Sequence, residues 1–302
     1  MTKILLTGAN GLLGQALVDS LNEDFELLAT GIEQEFSLKH IICEYQCFDI
    51  TDSSRTKDIF LGFQPDIVIN TASLTDVDDC EVNKNLCWNV NVKGVENLAR
   101  AAKKHMTLLI HLSTDYVFDG EEGPYNEEAR PNPLGYYAKS KLASENMCRM
   151  TGIPYAIVRT SVLFGLGKDI KENFFLWLYN KLKNNDKVNI VTDQYNTPTL
   201  VDDLAIGIKQ LIQKSAYGVY NLSGAEFLSR YDFARLLANA AGFSSELIHP
   251  VTTDFLMQNA PRPVKAGLTI DKAKHNIGFQ PNNIASAFEY LISQIRSPRK
   301  NL

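Results

Sequence analysis

Thr7-Gly8-Ala9-Asn10-Gly11-Leu12-Leu13-Gly14 follows the apolar run Lys3 to Thr7 and opens Leu12 to Leu21, which has the apolar spacing of an amphipathic helix. A glycine fingerprint carries meaning only in such a strand, turn and helix setting. Gly8 permits the tight turn, Gly11 lets backbone N–H groups approach a pyrophosphate, and Gly14 lets the helix pack closely on its strand. The helix N-terminus then faces the anion, because its first N–H groups have no partner inside the helix. Gly8, Asn10, Gly11, Leu12, Leu13 and Gly14 are therefore expected to hold a dinucleotide.

Working outward, apolar runs and amphipathic stretches alternate as in a parallel sheet covered by helices. Strands are expected at Glu26 to Thr30, Tyr45 to Phe48, Asp66 to Asn70, Thr107 to Leu112 and Pro154 to Arg159, six with the first. Helices are expected at Arg55 to Gly62, at Asn85 to His105 with Leu86, Val90, Val95, Leu98 and Ala102 on one face, and at Tyr136 to Met150. Beyond residue 165 the rhythm loosens into helices at Glu172 to Leu182, Asp202 to Gln213 and Tyr231 to Ala241, with a strand at Val188 to Val191. The fold class is α/β: a Rossmann-type doubly wound parallel sheet over 1–165, with a smaller α/β substrate lobe over 166–302. No Gly/Ser/Pro linker separates them, so the lobe is expected to interleave partly with the first domain. The polar tail Arg296 to Leu302 is expected to fray.

The 302 residues carry a formal net charge of -5, which leaves no basic field for a nucleic acid or an anionic membrane. No apolar run is long enough for a signal peptide or a membrane span, and a cytoplasmic location is expected. The five cysteines show neither Cys-x-x-Cys spacing nor histidine partners, so reduced thiols and no metal site are expected.

The chemistry is sought at the strand ends. Ser113-Thr114-Asp115 ends the fifth strand, and Tyr137 and Lys141 share a helix face at i and i+4. Tyr179 and Lys183 repeat that spacing with no such company. Hydride delivery to a carbonyl builds charge on oxygen, which needs a donor and then a proton. Tyr137 suits that task if Lys141 favours its phenolate, while Thr114, with Ser113 as the alternative, polarises the carbonyl. The end of the second strand reads Ala29-Thr30-Gly31-Ile32-Glu33, without an acid where ribose hydroxyls are usually received and with no Arg before Arg55. This leaves NADPH or NADH open, with a lean towards NADP. Arg262, between Pro261 and Pro263, is the best basic candidate for substrate phosphate.

With these residues placed, the chain resembles the dTDP-4-dehydrorhamnose reductase family, within the extended short-chain dehydrogenases/reductases. The blocks that carry this are Gly8-x-x-Gly11-x-x-Gly14, Ser113 to Gly120, Tyr137 to Glu145, Arg159 to Gly165, Asp193-Gln194 to Pro198-Thr199 with Asp202 to Ala205, and Arg262-Pro263. The resemblance implies reduction of a nucleotide-linked 4-keto-6-deoxy sugar, with Thr114, Asp115, Tyr137 and Lys141 catalytic. It also implies cofactor contacts at Asp49, Ile50, Thr71, Ala72 and Ser73, and substrate contacts at Thr75 and Phe118. Related 4,6-dehydratases place a Glu where this chain has Tyr116. Ala138 replaces a common Gly, and Gln15-Ala16 stands where some members carry a Glu for a magnesium-bridged dimer, which speaks against a metal requirement; a homodimer stays open. The regulatory subunit of methionine adenosyltransferase is similar too, which keeps a non-catalytic binding role as the alternative.

Overall fold

The computed structural model describes residues 1–297. Lys3–Thr7 forms β1, and helix α1 (Leu12–Leu21) leads to β2 (Glu26–Gly31) and β3 (Glu44–Cys47). Helix α2 (Ser53–Phe63), capped by Asp52 through the Ser54 and Arg55 N–H groups, returns the chain to β4 (Ile67–Asn70). Helices α3 (Val77–Val82), α4 (Lys84–Trp88) and α5 (Val95–His105) precede β5 (Leu108–Thr114). Then come α6 (Tyr136–Met150) and β6 (Tyr155–Thr160).

The expected helix from Asn85 to His105 is interrupted by a π-helical turn, Asn89–Gly94. That extra residue rotates the first turns, so Cys87, Asn91 and Val92 face inward while Leu86, expected on the apolar face, is 52% exposed. Such turns recur at functional sites.

After β7 (Leu163–Phe164) the chain forms α7 (Phe174–Lys183), β8 (Val188–Val191), β9 (Tyr195–Asn196), β10 (Thr199–Leu200) and α8 (Val201–Gln213). It continues through β11 (Gly218–Asn221), β12 (Leu228–Ser229), α9 (Arg230–Ala241), β13 (Ile248–Val251), α10 (Asp271–Ile277) and α11 (Ile284–Arg296). Arg296 thus ends a helix, and the rest of the tail from 298 lies outside the described residues.

The main sheet has seven parallel strands rather than six, ordered β11-β6-β5-β4-β1-β2-β3. The added strand, β11, has only Val219 and Tyr220 as large apolar residues, too short a run to show a period. Leu6, Ile69, Ile110 and Val158 form one core with α1 and α8, whereas Leu5, Val68, Leu109 and Ile157 form the other with α2 and α5. Alternation of side chains along each strand divides them between the two layers. A third core joins α7, α9 and α11 to β8, around Phe164, Phe175, Phe233 and Phe288. Tyr179 is buried in that aromatic core and stacks near Phe175.

The chain winds from β1 out to β3 and crosses back to β4 on the other side of β1. Doubly wound sheets open a ligand crevice at this switch point, beyond the carboxyl ends of the strands.

Candidate active site

The glycine turn lies at that switch point. Gly8 has φ +73°, and a Cβ there would come within 2.7 Å of Thr71 Oγ1 and 2.8 Å of the Ala72 nitrogen. A Cβ on Gly14 would overlap the Gly8 carbonyl and come 2.6 Å from Ala9 Cα. Both positions demand glycine, one for conformation and one for close approach. Gly11 is the N-cap of α1 and brings no capping side chain, and the first turn holds no acid. The start of the helix is therefore presented as backbone alone, suited to an anion. Leu13 is packed into the core, so only its backbone can serve a ligand.

Asn10 uses its side chain otherwise than expected. Its amide donates to Glu33 Oε2 at 3.1 Å, the Glu35 carbonyl at 3.0 Å and Tyr45 Oη at 3.3 Å, and its Oδ1 accepts from the Ser37 N–H at 2.9 Å. Gln15 donates to the carbonyls of Asn10 (2.9 Å) and Lys168 (2.7 Å) and pins the turn to the loop after β7.

After β4, Thr71 donates to the Thr7 carbonyl at 2.7 Å. Ser73 donates to Asn91 Oδ1 at 2.9 Å, which also accepts from the Leu74 N–H at 2.8 Å, while the Asn91 amide donates to Ser140 Oγ at 3.0 Å. Asn91 sits on the π turn and ties the segment 71–75 to α6. Asp49 is exposed and turned to the Thr51 N–H (2.8 Å), whereas Ile50 is buried against Gly94, leaving no space there for a Cβ.

Thr114, Asp115, Tyr137 and Lys141 converge at the end of β5. Tyr137 is 8% exposed, with the Thr114 hydroxyl beside it. Burial pushes the Tyr137 phenol above its ordinary value, and the neighbouring Thr114 hydroxyl is the main influence the other way. The sequence reading gave that lowering to Lys141. Instead the Lys141 ammonium donates to the Leu112 carbonyl at 2.6 Å, and burial depresses it to about 8, against the charge of Glu145. Asp115 accepts from Ser161 Oγ at 2.6 Å and from Thr114 Oγ1 at 3.1 Å, and burial raises it to about 7.

Beneath Lys141 lies a buried ion pair. Glu145 accepts from Arg159 Nε at 2.9 Å and Nη2 at 2.8 Å, and from Ser113 Oγ at 2.6 Å. Burial alone would raise Glu145, but Arg159 outweighs it and holds the carboxyl below its usual range.

The expected substrate contacts divide. Thr75 is exposed beyond β4. Phe118 has no exposed surface, being stacked 4.3 Å from Tyr125 with the Arg159 guanidinium 5.1 Å from its ring, so its side chain supports the site from within rather than meeting a ligand. Arg262 gives its fork to Asp78, at 2.7 and 3.2 Å, and joins the 260–264 loop to α3. A second cation, Arg230 at the start of α9, lies over the Phe174 ring at 4.7 Å, and its charge favours the ionised forms of Tyr116 and Asp115. Nothing in its sequence surroundings marked it.

A dinucleotide turn beside this buried Thr, Tyr and Lys cluster fits an NAD(P)H-dependent oxidoreductase, the class of the dTDP-4-dehydrorhamnose reductases that this chain is similar to. The chain belongs to the family described as the RmlD substrate binding domain, whose model matches residues 1–297. The dTDP-4-dehydrorhamnose reductase of Aggregatibacter actinomycetemcomitans is 33% identical over 297 residues, 94% of this chain and 96% of its own length. That of Bacillus anthracis, solved in complex with NADP, superposes with a TM-score of 0.87 at 30% identity, covering 97% of this chain and 100% of that one. Methionine adenosyltransferase 2 subunit beta of Xenopus laevis is 31% identical over 277 residues, 89% of this chain and 81% of its own.

Proposed function

We propose that this protein reduces the 4-keto group of a dTDP-linked 6-deoxy sugar, dTDP-4-dehydrorhamnose to dTDP-L-rhamnose, with Tyr137 as proton donor. The observation that carries the reading is the convergence of Thr114, Asp115, Tyr137 and Lys141, all buried, at the carboxyl end of β5, one strand from the switch point. A bound NAD(P)H supplies the hydride. The glycine turn, Thr71 to Ser73 and the Asp49-Ile50 corner are the residues to hold it, and the open helix start at Gly11 fits its pyrophosphate.

Thr114 and Tyr137 then hold the substrate carbonyl oxygen between two hydroxyls. As charge grows on that oxygen, Tyr137 gives up its proton. Lys141, one turn along the helix, stabilises the phenolate left behind. Burial keeps the Tyr137 proton in place until the oxyanion forms, since a desolvated phenolate is costly. Asp115 holds Thr114, and Arg230 with Arg262 supplies positive charge for the nucleotide diphosphate. In this reading 1–165 is the dinucleotide domain and 166–302 the substrate lobe, with α8 and β11 returning to the main sheet.

The test is oxidation of NADPH or NADH by the purified protein with dTDP-4-keto-6-deoxy sugar generated in situ. Sugar-dependent oxidation with dTDP-L-rhamnose as product is expected. No turnover with any nucleotide-linked keto-sugar, despite dinucleotide binding, would overturn the reading in favour of a binding role like that of the methionine adenosyltransferase subunit.

A further inference from the structure

We infer that Glu33 is the residue that selects the dinucleotide, and that it selects NAD(H) over NADP(H). The inference rests on the oxidoreductase reading and runs against the lean towards NADP that the sequence suggests. In the linear sequence Glu33 stands two residues beyond the last residue of β2, Gly31, too late to meet a ribose at the strand end. The backbone cancels that displacement by curling back. A Cβ placed on Gly31 would lie 2.7 Å from Glu33 Oε2 and 2.9 Å from Tyr45 Oη, so the carboxylate fills the space that a side chain on the strand-end residue would occupy.

Three contacts hold it there. The Asn10 amide donates to Glu33 Oε2 at 3.1 Å, Tyr45 Oη donates to the Glu33 carbonyl at 2.8 Å, and the Phe48 N–H donates to the Gly31 carbonyl at 2.7 Å. Asn10 is itself part of the glycine turn, which places the carboxylate beside the turn's mouth. Tyr45 is further fixed by stacking on Phe36 at 5.4 Å.

A carboxylate at the end of the second strand accepts the two ribose hydroxyls of an NAD-type adenosine and repels a 2′-phosphate. A site for the phosphate needs an uncommitted cation instead, best an Arg fork. Here Lys39 is paired with Glu35 at 2.8 Å, and Arg55 donates to Gln46 at 3.4 Å on the exposed side of β3. Glu35 adds a further negative charge to the same loop.

The experiment is equilibrium titration of the intact protein with NADH and with NADPH, followed by nicotinamide fluorescence at one fixed ionic strength, with no sugar present. The wild type should bind NADH at least about tenfold more tightly. Glu33→Gln keeps the shape and removes the charge, and should tighten NADPH binding until the two affinities agree within about threefold. A gain of NADPH affinity cannot come from a misfolded variant. Equal or tighter NADPH binding by the wild type, or an unchanged ratio in Glu33→Gln, overturns the inference while leaving the oxidoreductase reading intact. Binding of neither dinucleotide would sink that reading, and the inference with it.

Discussion

Replacing Lys141 by Met should abolish turnover and yet make the protein more stable at neutral pH. Lys141 is 3% exposed and burial lowers it from 10.5 to about 8, a displacement of about 2.5 pH units. At about 1.4 kcal/mol per unit, keeping this ammonium inside the folded protein at pH 7 costs about 3 kcal/mol. Met fills a similar volume without charge, but loses the 2.6 Å hydrogen bond to the Leu112 carbonyl, worth about 1 kcal/mol. The net gain is about 2 kcal/mol, or about 3 °C in Tm for a chain of this size. Because the folded value is depressed, the wild type binds fewer protons folded than unfolded between about pH 8 and 10.5, and its stability rises with pH there relative to the variant. The advantage of Lys141→Met should therefore be full below pH 8 and gone by pH 10.5, where the lost hydrogen bond leaves the variant slightly the less stable. Urea denaturation of both proteins at pH 7 and pH 10.5 measures it. A variant less stable than the wild type at pH 7, or a gap independent of pH, would refute the reasoning.

Tyr137→Phe should lower kcat by about 100-fold or more while leaving dinucleotide affinity unchanged, whereas Tyr179→Phe, in the aromatic core away from β5, should alter kcat by less than about twofold; steady-state kinetics on both variants checks the assignment. Arg262→Ala should raise KM for the sugar nucleotide more than for the dinucleotide, and Asp78→Ala, which frees the Arg262 fork, should not raise it; a rise in both variants would mean that the pair matters only for joining α3 to the 260–264 loop.

Where the sequence was legible, local geometry and tertiary packing ask for the same residues. The turn after β1 is one such place, because Gly8 and Gly14 are demanded by backbone conformation and backbone contact, and neither can be replaced by packing elsewhere. The bounds of α6 are another, since Tyr137, Lys141 and Glu145, at four-residue spacing, share its buried face. Legibility failed where position depends on a distant partner. Asn91 is an ordinary polar residue until the π turn aims it at Leu74 and Ser140. Glu33 reads as too late until the chain curls over Gly31. Phe118 lies within a block matching the family, yet its ring is spent on Tyr125 and Arg159. Arg230 comes from far along the chain, and helix α9 sets its charge towards Tyr116 and Asp115 without any motif of its own.

The choice between Ser113 and Thr114 as the carbonyl-polarising hydroxyl, open in the sequence, follows from counting protons. A hydroxyl has one proton to give. Ser113 gives its proton to Glu145 Oε1 at 2.6 Å, within a pair that cannot release it cheaply. Glu145 is buried and also accepts from Arg159 Nε and Nη2 and from Arg149 Nη2 at 2.8 Å, so both its oxygens are already engaged within this network. Thr114 is placed differently. Its oxygen meets Tyr137, the Tyr116 N–H at 3.2 Å and Asp115 at 3.1 Å, and burial raises Asp115 to about 7. A carboxyl that takes up a proton near neutrality no longer needs the Thr114 hydrogen, which is then free to turn to a substrate oxygen. On the proposed function, Ser113 therefore belongs to the support beneath Lys141, and Thr114 is the hydroxyl to offer the reacting carbonyl.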